Sequence, residues 1–238
     1  MLSWKKLIVV GGSNTQYGFG NGCEGNWLSS LANQLQRRCD VINRGFSGYN
    51  SRFIKDLMPR ILKEFEVDSI CCVILQLGTN DSSANELQHV PFDEFKQNLR
   101  KIIEIVLNYG VNRGNLILIT PPKIDDEKWS ETCKSMGNEA SHHDRLVKEC
   151  ANICLDVSEE MDLKCVDLNG VMNKSADYSK YLHDGLHLSH EGGKLLFKSL
   201  KPIIDDMFIE GDSLKINFPL WKDLKNSEDI SNIPQFCA

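Results

Sequence analysis

The run Ser69–Leu77, Ser-Ile-Cys-Cys-Val-Ile-Leu-Gln-Leu, is apolar at successive positions, not at alternate ones. Neighbouring side chains on a strand point to opposite faces, so such a strand must be covered on both sides. Leu7–Val10 and Leu116–Thr120 carry the same pattern, and Val41–Asn43 and Cys165–Leu168 are shorter strand candidates. Between these runs the apolar period becomes helical. It is carried by Trp27, Leu28, Leu31, Ala32 and Leu35, giving a helix to about Arg37. Phe53, Ile54, Leu57, Ile61 and Phe65 mark a second helix, with Pro59 a kink point. Phe92, Phe95, Leu99, Ile102, Ile103 and Val106 mark a third, ending near Gly110. Leu146, Val147, Cys150, Ala151 and Cys154 form a fourth, and Leu195, Leu196, Leu200 and Ile203 a last. Buried strands alternating with helices predict an α/β domain of three layers, with about five parallel strands joined by right-handed crossovers. The polar stretch from Ile124 to Gly137 reads as a surface loop or lid.

The 238 residues suit a single domain over residues 1–238. Residues 211–238 read as a C-terminal arm, packed on its own subunit or on a second copy in a homo-oligomer. A net charge of −6 with scattered Lys and Arg argues against nucleic acid as a partner. No apolar run approaches the roughly 18 residues of a membrane span. The opening Met-Leu-Ser-Trp-Lys-Lys reads as the lead into the first strand and not as a signal peptide. Nine cysteines are an odd number for a closed disulfide set, and none shows zinc-like or Cys-x-x-Cys spacing. This usage points to a reduced, cytoplasmic protein.

In a parallel sheet the loops after the strand C-termini carry the site. Four polar clusters fall there. Ser13 follows Gly11-Gly12 after the first strand, where its hydroxyl stands above the sheet or simply belongs to a turn. Asn43-Arg-Gly-Phe-Ser-Gly-Tyr-Asn50 follows the second strand, with the Gly48 N–H able to face Ser13. Gly78-Thr-Asn-Asp81 follows the third, where Asn80 is either an oxyanion donor or a cap. Asp184 and His187 are three residues apart, a spacing that lets the carboxylate orient the imidazole while the ring takes a serine proton. His183 and His190 raise a metal site as an alternative, disfavoured because no cysteine or paired acidic set accompanies them. His142-His143 reads as a solvated helix face. Phosphate-loop patterns and the G-x-S-x-G elbow are missing, which disfavours nucleotide binding and an ordinary α/β-hydrolase.

Taken in order, these four clusters resemble the signature blocks of the SGNH (GDSL-type) hydrolase superfamily over residues 6–200. The stretch Asn43–Arg52 and the late Pro219-Leu-Trp-Lys222 are most similar to the isoamyl acetate-hydrolysing esterase group. The resemblance implies a flavodoxin-like α/β/α fold, no cofactor, and a small-molecule ester, of short-chain acetate type, as substrate. It implies Ser13 as nucleophile, His187 as general base and Asp184 as its orienter. The Ser13 N–H, the Gly48 N–H and the Asn80 side chain would form the oxyanion hole. Two positions depart from the signature: Gly12 stands where an aspartate is usual, and Asn14 where an apolar residue is usual. These departures motivate a rival expectation of a weak or inactive homologue with a binding role.

Overall fold

The computed structural model describes residues 4–20, 26–210, 213–218 and 220–224. Five strands form one parallel sheet: β1 (Lys5–Gly11), β2 (Cys39–Gly45), β3 (Ile70–Gln76), β4 (Leu116–Ile119) and β5 (Lys164–Val166). Their order across the sheet is β2-β1-β3-β4-β5. Eight α-helices lie among the described residues. They are α1 (Ser13–Gln16), α2 (Trp27–Gln34), α3 (Ser51–Leu62), α4 (Phe92–Tyr109), α5 (Asp126–Ser135), α6 (Asp144–Glu160), α7 (Leu168–Asn173) and α8 (His190–Ile204).

Alternate residues of β1 enter different cores, as a strand covered on both faces requires. Leu7 and Val9 pack with Trp27, Leu28 and Leu31 of α2 and with Leu196 and Leu200 of α8. Ile8 and Val10 pack on the other face with Ile54 and Met58 of α3, Phe95 and Leu99 of α4, and Cys150 and Cys154 of α6. The cysteines Cys71, Cys72, Cys150 and Cys154 are buried and free, small apolar fillers in these layers.

The register sets the level of the site. Gly11 pairs with Gly45 and with Gln76, Gln76 pairs with Ile119, and Ile119 with Val166. All five strands therefore end in one row, and their following loops rise from a common edge. Helix α1 crosses this edge so closely that a Cβ on Gly45 would lie 2.1 Å from the Gln16 backbone nitrogen. Only glycine lets the two segments touch there.

Three segments differ from the sequence reading. Strand β5 ends at Val166, and Leu168, read as part of it, opens helix α7 behind the Asp167 cap. Helix α2 stops at Gln34, and Arg37 beyond it takes the left-handed region at φ 62°. The stretch read as a loop or lid is helix α5. Asp125 caps it by accepting from the Lys128 N–H at 3.1 Å, and Asp126 and Glu127 complement the first turn. Cys133 is its only buried residue, so no apolar period is available to announce it. Of the arm, residues 213–218 run along the end of α2, where the Asn217 N–H donates to the Arg37 carbonyl at 2.6 Å. Residues 211–212, 219 and 225–238 lie outside the described residues.

Candidate active site

Ser13 is the first residue of α1, immediately beyond β1, and is only 7% exposed. Its N–H is among the first of the helix, which have no carbonyl partner within it. Neighbours pin the short helix: Trp27 Nε1 donates to the Asn14 carbonyl at 3.0 Å, and Asn43 Nδ2 to the Thr15 carbonyl at 2.9 Å. Thr15 Oγ1 donates to Gln76 Oε1 on β3 at 3.1 Å.

Asp184 and His187 stand on a tight turn closed by the His183 N–H to the His187 carbonyl at 2.7 Å. Asp184 Oδ1 accepts from the N–H groups of Leu186 at 2.9 Å and His187 at 2.7 Å. Its Oδ2 lies 2.6 Å from His187 Nδ1. A carboxylate only accepts, so Nδ1 carries the proton and Nε2 faces Ser13 Oγ as an acceptor at 3.0 Å. Burial works against ionising Asp184, but its hydrogen bond with His187 and the two N–H groups outweigh it and hold the carboxyl at about 2. The structure thus aligns the serine, imidazole and carboxylate across 174 residues of sequence separation.

Helix α5 holds this turn. Lys128 Nζ donates to the Leu182 carbonyl at 2.7 Å, and Thr132 Oγ1 to the Asp184 carbonyl at 2.8 Å. The Asp125 N–H donates to the Gly185 carbonyl at 2.9 Å. Gly185 sits at φ +99°, and a Cβ there would lie 2.3 Å from the Trp129 backbone nitrogen. A Gly185→Ala variant is therefore expected to lose about 2–4 kcal/mol of stability, combining left-handed strain with a backbone clash. It should also lose most of its turnover as the His187 turn is pushed off Ser13. Denaturant midpoint and ester turnover measured together check this; an unchanged midpoint would show that the turn yields without cost.

Gly48 adopts φ +80°, a conformation that favours glycine, and its carbonyl accepts from Gln88 Nε2 at 3.1 Å. Asn80 Nδ2 donates to the Tyr49 carbonyl at 2.8 Å, leaving its second amide hydrogen for a ligand. Gly12, Ser13, Tyr49 and Asn80 line one small cleft. Asp81, beside Asn80, accepts from the Ser51 N–H at the start of α3 at 2.8 Å. Its burial pushes the carboxyl up to about 6, against the pull of the Ser51 side chain and N–H.

The two departures from the signature acquire physical content. A Cβ on Gly12 would come 3.0 Å from Asn80 Nδ2, so its absence leaves room next to that amide. Asn14 does not loosen the site: its Oδ1 accepts from the Leu188 N–H at 2.8 Å, tying the serine helix to the histidine turn. His142 corrects the sequence reading. It is 6% exposed, not solvated, and stands before α6 with its ring edge-on to Trp129 at 6.1 Å. Burial lowers its pKa to about 4, helped by the nearby His187 and His143, so it is neutral at pH 7. Trp129 in turn stands edge-on to His187 at 6.2 Å, and Tyr17 does so at 5.9 Å. Among the described residues no group of three or more His, Cys, Asp or Glu side chains is placed to hold a metal. The bonds by which Gln88, Asn14 and helix α5 hold the site are not readable in the sequence. Their roles are backbone contacts made across the fold, for which a single sequence carries no signal.

Residues 9–195 match the model of the GDSL-like lipase/acylhydrolase family. The chain is 39% identical over 228 residues to the isoamyl acetate-hydrolyzing esterase 1 homolog of Bos taurus, spanning 94% of this chain and 89% of that one. It is 27% identical to the isoamyl acetate-hydrolyzing esterase of Saccharomyces cerevisiae, over 98% of this chain and 99% of the other. Among solved structures, the lipase/acylhydrolase from Enterococcus faecalis aligns with a TM-score of 0.64 at 22% identity, covering 85% of this chain and 96% of that one. An acetylxylan esterase from Geobacillus stearothermophilus aligns at 0.61 and 22%, covering 85% and 95%. The fold is thus the one expected of an SGNH hydrolase. The chain belongs to the GDSL-like lipase/acylhydrolase family.

Proposed function

We propose that the protein is a carboxylic ester hydrolase that works through an acyl-enzyme on Ser13, with His187 as general base and acid and Asp184 as its orienter. The observation that carries this reading is the hydrogen-bonded line Ser13 Oγ–His187 Nε2 and His187 Nδ1–Asp184 Oδ2, at 3.0 and 2.6 Å. Family membership and the esterase relatives support the reaction class. Ser13 Oγ attacks the carbonyl carbon while Nε2 takes its proton. The alkoxide leaves with that proton as alcohol, and water repeats the sequence to release the acid. The tetrahedral oxyanion is received by the Ser13 and Gly48 N–H groups and by Asn80 Nδ2. One such donor is worth roughly 3–4 kcal/mol in a dry site.

The small cleft lined by Gly12, Ser13 and Asn80 lies where this reading puts the oxyanion. The acetate named for the relatives favours acetyl and similarly short acyl groups as the acid part. The buried free cysteines favour a reducing compartment such as the cytoplasm.

The test is hydrolysis of p-nitrophenyl esters from acetate to octanoate, followed by reaction with an organophosphonate and peptide mass mapping. The reading requires turnover greatest at short acyl length and a phosphonyl adduct on Ser13 that abolishes it. An adduct on another residue, or turnover surviving full modification of Ser13, would remove the nucleophile assignment. No turnover on any ester would favour a binding role.

A further inference from the structure

Two consecutive residues of α1 meet two consecutive residues of the histidine turn. Ser13 Oγ lies 3.0 Å from His187 Nε2, and Asn14 Oδ1 accepts from the Leu188 N–H at 2.8 Å. The second bond follows from how the turn is built. Leu182 and Leu188 form an antiparallel bridge. It is flanked by the His183 N–H to the His187 carbonyl at 2.7 Å and the Ser189 N–H to the Tyr181 carbonyl at 2.9 Å. A bridge flanked in this way leaves the N–H groups of its own pair pointing out of the ladder. Leu188 is buried, so its N–H needs a partner from elsewhere in the fold. Asn14 supplies the acceptor, which the apolar residue usual at this position of the signature does not have. Its own carbonyl accepts from Trp27 Nε1 at 3.0 Å, so Asn14 is held at main chain and side chain alike.

The two bonds between α1 and the turn fare differently during the reaction. In the resting enzyme the Ser13 hydroxyl donates to His187 Nε2. When Oγ bonds to the acyl carbon, its proton goes to Nε2 and then leaves with the alcohol. The acyl-enzyme has no Oγ–H, so the first bond is gone. His187 must then take a proton from water at the same Nε2. The water oxygen adds to the acyl carbon, and the proton passes to Oγ as the bond from Oγ to that carbon breaks. Neither Asn14 Oδ1 nor the Leu188 N–H gains or loses a proton in the cycle. Among the described residues, theirs is the one hydrogen bond that still joins α1 to the turn at the acyl-enzyme stage.

On the ester-hydrolase reading above, we propose that Asn14 is a positioning residue for deacylation. It keeps His187 in place over the acyl carbon while Ser13 Oγ is esterified. Acylation has the bond between Ser13 and His187 to align its groups and depends less on Asn14.

The test is stopped-flow hydrolysis of p-nitrophenyl acetate by the wild type, Asn14→Leu, Asn14→Ala and Asn14→Asp. kcat/KM reports acylation, and the steady rate after a burst of p-nitrophenol reports deacylation. In the Leu and Ala variants kcat is expected to fall roughly ten- to hundredfold, the scale of a misplacement near 1 Å. kcat/KM should stay within about threefold of the wild type, so that KM falls with kcat, and a burst close to one equivalent should appear or persist. Asn14→Asp keeps an oxygen for the Leu188 N–H and should restore most of kcat. Thermal midpoints identify the folded variants; the signature usually has an apolar residue here, so Asn14→Leu is expected to be among them. A fall in kcat without a burst, or an equal fall in kcat/KM, would overturn the proposal. A kcat left unchanged by Asn14→Leu and Asn14→Ala would do the same. So would a folded Asn14→Asp as slow as Asn14→Leu, since the acceptor would then not be what matters. Any of these results with Ser13-dependent turnover in the wild type removes only the role of Asn14; a wild type without that turnover removes the underlying reading.

Discussion

Replacing Ser13 with alanine is expected to lower kcat on the best ester on the order of 10⁶-fold, the scale on which serine hydrolases lose activity without their nucleophile. The fold should not change. Among the described residues the side-chain hydrogen bond of Ser13 Oγ is the one to His187, and alanine suits the first turn of α1 at least as well as serine. The thermal midpoint should therefore stay close to that of the wild type. A second variant separates chemistry from contamination. Ser13→Ala combined with His187→Ala should be no slower than Ser13→Ala alone, because the two groups act as one unit. Additive losses would mean that the imidazole works on something other than the serine hydroxyl. A Ser13→Ala protein retaining near-wild-type rates on a titrated sample would end the acyl-enzyme account.

Asp184→Asn is expected to cost about 10⁴-fold in kcat with little change in KM. The amide is isosteric, and its oxygen can still accept the N–H groups of Leu186 and His187 that now bond to Oδ1. Its NH2 group then faces His187 Nδ1, which must accept instead of donate. The proton moves to Nε2, and the ring can no longer take the proton of Ser13. The same substitution has a signature in stability. The Asp184 carboxyl is depressed to about 2 from an ordinary value of 3.8, so its ionised form is favoured by folding. The sign follows directly: the stabilisation is full above about pH 4 and is lost as pH falls through 2, where both states are protonated. It amounts to about 2 kcal/mol at neutral pH. The gap in denaturant stability between wild type and Asp184→Asn should be open at pH 7 and narrow between pH 4 and 2. A gap independent of pH would mean that the loss comes from packing and not from the ionised carboxylate. Raised KM with normal kcat would place Asp184 in binding and not in orienting the base.

The layered α/β domain was legible before any coordinates because its determinants are local. A strand such as Ile70–Gln76 must be covered on both faces, and α4 carries its period over five turns to the left-handed Gly110. The four polar clusters were legible for the same reason: each follows a strand end, and the row Gly45–Gly11–Gln76–Ile119–Val166 brings those ends level. Helix α5 was not legible, since it buries little and carries almost no apolar period. Yet its cap Asp125 and two of its residues, Lys128 and Thr132, hold the turn that bears Asp184 and His187.

The sequence by itself determined the elements, their alternation and the residue types available for chemistry, because helix and strand periods and glycine turns act over a few residues. Tertiary structure alone decided that His187 Nε2 meets Ser13 Oγ, that Asn14 bonds to Leu188, that His142 is buried, and that Phe53 faces outward. Each of these depends on where chain segments far apart in sequence come to rest, and a hydrogen bond or a packed ring is satisfied only within an ångström or so of the right place.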